Sequence, residues 1–305
     1  MKIIKPTKTS AFTERNIMLN NALRPPLPFS IDEEYPLVLN AKNNSYSHCM
    51  LIDQKIVAHA NLWPRSVISP TTSLGSQKIG LIGNVVTHPE WQNKGLMACL
   101  LQKLEAEARL QKLQRLILWS DLRQFYQKMG YTSFGQELRL FFNQERLPKK
   151  LKRTAVKVKE VDPQDLSNDA LETMFALRPP TPLTLQRSLT EFRHLLSIPA
   201  THLFISTRDS QITGYGIVGK GYDMYGVLHE WGIVDPKAIL LMIKVIITSL
   251  NLPYLIVLSP LSAISCLHLM KKYAYKIERH GMSLSKSLTL TSESNGLFIW
   301  GLDSI

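Results

Sequence analysis

The sequence predicts an α/β protein made of one unit used twice. Three observations lead there. The pentapeptide ALRPP occurs at residues 22–26 and again at residues 176–180, an offset of 154. At the same offset His48, in SHCMLIDQKIVAHANL, falls on His202, in THLFISTRDSQITGYGIV, and both stretches read as strand, polar turn, strand. Beyond the hairpin each half runs through strand, helix, strand, helix and strand, an alternation that builds a mixed central sheet flanked by helices.

The elements of the first half justify themselves in order. Residues 78–86, KIGLIGNVV, are apolar and end β-branched, which suits a central strand. Residues 95–112 follow as an amphipathic helix, with Leu96, Leu100, Leu104 and Ala108 on one stripe and Gln102, Lys103, Glu105 and Arg109 on the wet face. Glu105 and Arg109 form a favourable i, i+4 pair. Strand RLILW, helix LRQFYQKMG ending on Gly130, and alternating strand ELRLFF complete the unit. In the second half QRLILWSD is matched by PYLIVLSP and YQKMGY by MKKYAY, at offsets of 139 and 144, a drift that small loop changes produce. The expected organisation is a domain over residues 1–147 and a second over residues 154–305, joined near the charged, proline-containing segment NQERLPKKLKR. The tail after Leu288 has no counterpart in the first half and reads as an added strand.

Composition bounds the rest. The chain has 305 residues, enough for two domains with cores of their own. Its three cysteines, Cys49, Cys99 and Cys266, are widely spaced and form no CxxC or Cys/His ligand cluster. They read as free thiols in a reducing cytoplasm, and no metal is expected. The N-terminus lacks an apolar signal region, and the longest apolar stretch, AILLMIKVIITSL, is short and broken by Lys244, so no membrane span is expected. The formal net charge of +12 favours an anionic ligand. The KKLKR cluster at residues 149–153 reads as a solvated linker rather than a nucleic-acid surface, because no aromatic platform flanks it.

The chemistry concentrates in VVTHPEWQNKGLMACLL, residues 85–101. A strand feeds a helix N-terminus through Gln92, Asn93, Lys94 and Gly95, and a helix N-terminus carries free amides and a positive dipole end. Taken alone, this is an ordinary glycine-containing turn. The stretch resembles the acetyl-CoA loop of the GNAT superfamily of N-acetyltransferases, through Val86, Pro89, Gln92 and Gly95. Downstream, FYQKMGY, residues 125–131, resembles the second signature of that family, in the expected order. The resemblance covers most of residues 35–142 and extends weakly to residues 155–288. It implies two tandem GNAT-like α/β domains, the second degenerate. It also implies acetyl-CoA as co-substrate and an amine-bearing small molecule or peptide as acceptor.

The same resemblance implies site roles. Backbone amides of Gln92, Asn93, Lys94, Gly95, Leu96 and Met97 would cradle the pyrophosphate. Val86 and Thr87 would pair with the pantetheine arm, and Tyr126 would protonate the departing thiolate. Met97 departs from the family pattern, which favours Gly or Ala there; it either crowds the pyrophosphate or turns into the core. Asn84 cannot accept a proton, and Glu90, Asp121, Glu137 and His88 read as solvated or capping groups, so no general base is assigned. The second half keeps IVDPKAILLMIKV without the Gln-x-x-Gly loop; Asp235 would repel a phosphate, and Met270 replaces Tyr126. Glu230 and Trp231 could read a cationic or sugar-like acceptor, although ordinary strand partners are the favoured account of both. Residues 24–36 and 63–77 are the expected acceptor-facing loops. The competing reading is a non-catalytic acyl-CoA-binding regulatory protein.

Overall fold

The computed structural model describes residues 1–69, 76–149, 155–281, 283–289 and 296–305. Most of the KKLKR cluster, the middle of the 63–77 segment and residues 290–295 of the tail lie outside the described residues.

The first half contains β1 (Lys2–Ile4), α1 (Thr9–Leu23), α2 (Ile31–Glu34), β2 (Ser47–Ile52), β3 (Lys55–Ile68), β4 (Gln77–Thr87), α3 (Leu96–Leu110), β5 (Arg115–Leu118), α4 (Arg123–Lys128), β6 (Thr132–Phe134) and β7 (Glu137–Phe142). The second half contains β8 (Lys157–Val161), α5 (Asn168–Leu177), β9 (Thr184–Leu185), α6 (Leu189–Leu196), β10 (His202–Arg208), β11 (Gln211–Val218), β12 (Val227–Ile233), α7 (Ala238–Ser249), β13 (Leu255–Ser259), α8 (Ile264–Tyr273), β14 (Lys276–His280) and β15 (Ser283–Ser287).

The repeat is visible in local geometry. The β2–β3 turn places Asp53 and Gln54 at φ 46° and 61°, and the β10–β11 turn places Asp209 and Ser210 at φ 50° and 65°. Two successive residues at positive φ make the turn whose twist suits a hairpin. Both ALRPP copies end a helix: α1 stops at Leu23 and α5 at Leu177, and the arginine before the proline pair is the non-helical cap in each, at ψ 141° and 138°. The segment at residues 24–36 folds around α2, started by a Ser30–Glu33 capping box. Residues 63–68 belong to β3 rather than to a loop, and the end of that strand pairs with β9 of the second half.

The strands form two mixed sheets. One runs β1-β2-β3-β4-β5-β15-β6 with β9 paired on β3; the other runs β14-β7-β13-β12-β11-β10-β8. The two halves exchange strands. The first half's β7 lies between β13 and β14, pairing Leu140 with both Val257 and Ile277. The second half's β15 lies between β5 and β6, pairing Leu284 with both Leu118 and Ser133.

Strand alternation assigns the core. In β4 and β5, Ile82, Leu116 and Leu118 face α3 and pack with its Leu100, Leu101, Leu104 and Ala108. The intervening Ile79, Leu81 and Ile117 face the opposite layer, a core continuous with Phe142, Trp231 and the apolar α7. The tail after residue 296 is not an added strand. Leu297 makes one isolated bridge to Leu183, and Gly301–Asp303 form a single 3-10 turn. Arg187 pins that turn by donating to Asp303 at 2.6 and 3.0 Å and to Glu230 at 2.9 and 3.1 Å, with all three side chains buried. Burial opposes the charge on Arg187, but the two carboxylates outweigh it and raise its pKa. Glu230 is therefore a structural anion, and an acceptor-reading role for it is set aside.

Candidate active site

Each sheet contains one parallel junction, and the two junctions differ. In the first, β4 and β5 pair from Ile79↔Arg115 to Ile82↔Leu118, and then part while β4 continues to Thr87. Beyond Ile82 the β5 side of β4 has no strand partner among the described residues, although its other side stays paired, His59 with Val86 and Ala58 with Thr87. A cleft of about 780 Å³ fills the gap.

The parting begins at a bulge. The β3–β4 register shifts between His59 and Asn61, and Asn84 takes φ 49°. A buried polar chain fixes it: His59 Nδ1 meets the Asn84 carbonyl at 2.8 Å, and Asn84 Nδ2 donates to Asn61 Oδ1 at 3.1 Å. Ser47 Oγ lies 3.0 Å from His59 Nε2 and accepts from Arg15 at 2.9 Å. Burial pushes the His59 pKa down to about 3, partly offset by its bond to Asn84. His229 of β12, also buried, is pushed down to about 4. Both imidazoles stay neutral in the fold, whereas in the unfolded chain they gain a proton near pH 6.5. The stability they contribute is complete above that pH and is lost as pH falls toward their folded values. Urea unfolding between pH 6 and pH 4 is expected to lose up to about 1.4 kcal/mol per pH unit for each imidazole, with His229 contributing less as pH nears its folded value of about 4. A flat unfolding free energy over that range would exclude this linkage.

At one end of the cleft stands the start of α3. Gly95 is its cap, at φ 74°, where a side chain is strained, and a Cβ there would meet nothing within 4 Å. The first internal bond of the helix runs from the Cys99 amide to the Gly95 carbonyl at 3.1 Å, so the amides of Leu96, Met97 and Ala98 have no intrahelical partner. Gln92, Asn93, Gly95, Leu96 and Met97 all line the cleft, as do Val86 and Thr87. Two details differ from the simplest cradle. The Gln92 amide is already used, donating to the Pro89 carbonyl at 3.2 Å, while its side chain donates to the Thr87 carbonyl at 3.2 Å. Lys94 is not among the lining residues, and its Nζ lies 4.5 Å from the Trp91 ring centre. Met97 lines the cleft while packing against the α3 core.

Tyr126 of α4 lines the middle of the site and is only 3% exposed. Its ring meets Phe125 and Tyr131 edge-on, at 5.0 and 5.6 Å between centres. Burial pushes its pKa up to about 12, opposed by a hydrogen bond with Ser120, so the phenol keeps its proton at neutral pH. None of Glu90, Asp121, Glu137 and His88 lines the cleft. Glu137 has left with β7 for the other sheet, where it accepts from Arg139 at 2.8 Å.

The far end joins Arg24 and Tyr35, from the expected acceptor-facing segment 24–36, to Lys220 and Asp223, which sequence reading did not single out. Arg24, from the first ALRPP copy, donates to Glu34 at 2.5 Å and to Asp223 at 2.8 Å. Tyr35 donates its hydroxyl to Asp223. Lys220 donates to the carbonyls of Gly301 at 3.0 Å and Leu302 at 3.3 Å, and also to that of Ser304. Burial lowers the Lys220 pKa to about 8, with Asp223 and Asp303 opposing the shift. The tail thus forms one wall, with Ser304 and Ile305 lining the cleft and Ile305 lying directly on Gly83. The ALRPP repetition pointed at Arg24, and Glu34 follows it in the same segment, but Asp223 comes from the β11–β12 connection, which has no local pattern.

The second junction is closed. Strands β12 and β13 pair at Val227↔Ile256 and Leu228↔Val257, and where they part Trp231 spans the gap, its indole N–H donating to the Leu258 carbonyl at 2.8 Å. Trp300 of the tail packs edge-on against it. The end of α5 sits so close to β12 that a Cβ at Gly232 would lie 2.4 Å from the Leu177 carbonyl oxygen. Asp235 caps the approach to α7 by accepting from the Lys237 amide at 3.0 Å, and Met270 is fully buried. Trp231 is therefore a packing residue, and the second half presents no equivalent cleft among the described residues.

A sheet parted between parallel strands, with a glycine-led helix at the mouth, defines the class of fold. Residues 16–131 match the model of the acetyltransferase (GNAT) family. Solved structures extend the likeness to both halves. A conserved protein of unknown function from Enterococcus faecalis V583 aligns with TM-score 0.70 at 17% identity, over 94% of this chain and 72% of its own. A GCN5-related N-acetyltransferase from Kribbella flavida aligns with TM-score 0.66 at 14% identity, over 94% and 71%. An N-myristoyltransferase from Saccharomyces cerevisiae, solved with myristoyl-CoA, aligns with TM-score 0.54 at 10% identity, over 94% and 83%. At these identities the likeness is one of fold. No curated protein matches the sequence. Among the described residues there is no cluster of side chains able to hold a metal, and no helix is long and apolar enough to cross a membrane.

Proposed function

We propose that this chain is an acetyl-CoA-dependent N-acetyltransferase that acylates a primary amine by direct transfer. The observation that carries this reading is the parted β4–β5 junction, which has unpaired helix amides at one end and a buried, protonated tyrosine along its wall. The amides at the start of α3 suit a pyrophosphate, and the positive dipole end adds to them. The β5 side of β4 beyond Ile82, where Val86 and Thr87 line the cleft, suits an extended amide-bearing arm, which adds as a strand would once the Gln92 side chain releases the Thr87 carbonyl. The acceptor nitrogen, as the neutral amine, forms a bond to the acyl carbon while the carbon–sulfur bond breaks. The nitrogen sheds a proton to solvent, and Tyr126 supplies one to the departing thiolate. Tyr126 then recovers its proton from water.

The test is release of free thiol from acetyl-CoA by the purified chain across a panel of primary amines. Amine-dependent release supports the reading. Tight binding of acetyl-CoA with no release for any amine would replace it with a binding protein.

A further inference from the structure

Among the described residues that line the cleft, Asp223 is the only one with a carboxylate side chain. It belongs to the connection between β11 and β12, and so comes from the half without a cleft of its own. Its side chain is 42% exposed. Oδ2 accepts from Arg24 and from the Tyr35 hydroxyl, while Oδ1 has no partner among the described residues. The two cations in the same lining are already committed. The Arg24 side chain is 7% exposed and divided between Glu34 and Asp223, and Lys220 is buried against the tail carbonyls. The charge left facing solvent at this end of the cleft is therefore negative. Tyr222 and Tyr225, both exposed, flank Asp223 in the same connection, and the Tyr222 ring already lies over the Arg24 guanidinium at 5.7 Å.

A carboxylate is the wrong group to hold the reacting nitrogen, because it stabilises the ammonium form, which has no lone pair to attack with. It suits a second, non-reacting cationic group. We infer that Asp223 is an acceptor-specificity residue that binds a second ammonium, and that the acceptor is a small diamine or polyamine. This rests on the N-acetyltransferase reading above. The second half then has a chemical task, to supply the acceptor anchor for a cleft built by the first.

The experiment compares butane-1,4-diamine with butylamine as acceptors, by thiol release from acetyl-CoA with the full chain. Wild type is expected to prefer the diamine at least tenfold in kcat/KM. Asp223→Asn keeps an acceptor for the Tyr35 hydroxyl but loses the charge, and should collapse that ratio toward parity; Asp223→Glu should restore most of it. High salt should narrow the wild-type ratio. Release with both amines at equal efficiency in wild type, or a ratio that survives Asp223→Asn, would overturn the inference while leaving the transferase reading intact. No release with any amine would remove both.

Discussion

Replacing Gly95 with aspartate is expected to weaken acetyl-CoA binding at least 100-fold, about 2.7 kcal/mol, without unfolding the protein. Strain and charge act together. Gly95 sits at φ 74°, where a side chain costs roughly 1–2 kcal/mol, with aspartate among the residues that tolerate it best. Charge matters more, because the new carboxylate stands at the positive end of α3, beside the free amides proposed to hold the pyrophosphate. The fold itself should tolerate the change. A Cβ at Gly95 meets no neighbour within 4 Å, and aspartate is a favourable helix cap. Calorimetric titration with coenzyme A, alongside a thermal melt, separates lost binding from lost stability. Gly95→Ala, which adds strain and bulk without charge, should fall between the variant and wild type. An affinity for coenzyme A within threefold of wild type in Gly95→Asp would move the ligand away from this helix.

Tyr126→Phe is expected to lower kcat roughly 100- to 10,000-fold, the range usual for a positioned general acid, with little change in KM for acetyl-CoA. Only the hydroxyl is removed, so the edge-on ring contacts with Phe125 and Tyr131 persist and the α4 packing stays intact. The buried phenol, pushed up to about 12, remains a proton donor throughout the range in which an amine acceptor is partly neutral. The wild-type rate should therefore rise with pH as the acceptor loses its proton, with no fall from Tyr126 below about pH 11. Steady-state kinetics of both proteins from pH 7 to pH 10 read this directly. A kcat within fivefold of wild type would leave Tyr126 as a packing residue.

Much of this architecture was legible in the residues. Proline pairs after a helix, hairpin turns of Asp with a polar neighbour, and a strand running into a glycine-led helix are local signals, and each falls where the fold puts it. What escaped was non-local. Glu137–Phe142 alternates as a strand should, but alternation names a face and not a neighbour, so nothing in ELRLFF says that it leaves for the other sheet. Glu230 looked available for an acceptor because its partner, Arg187, lies far back in the chain and Asp303 sits in a tail with no repeat partner. Trp231 gave no sign of filling a gap, since the gap exists only once two strands part. At the candidate site the helix amides, Val86, Thr87 and Tyr126 follow from motif and order. Asp223 does not, because it meets Arg24 and Tyr35 only across the two halves.

The exchange of strands also sets a timetable. The sheet that carries the cleft lacks an interior strand until Ser283–Ser287 have been synthesised, since β15 stands between β5 and β6. During translation the first half emerges with a slot in its sheet and with β7 still awaiting β13 and β14. The facing edges of β5 and β6 and both edges of β7 then lack their native partners, open to other chains, while the ribosome completes the second half. The second half thus supplies the late-arriving component of the sheet that holds the cleft, and a gene shortened to its motif-bearing half would encode a sheet with a missing plank.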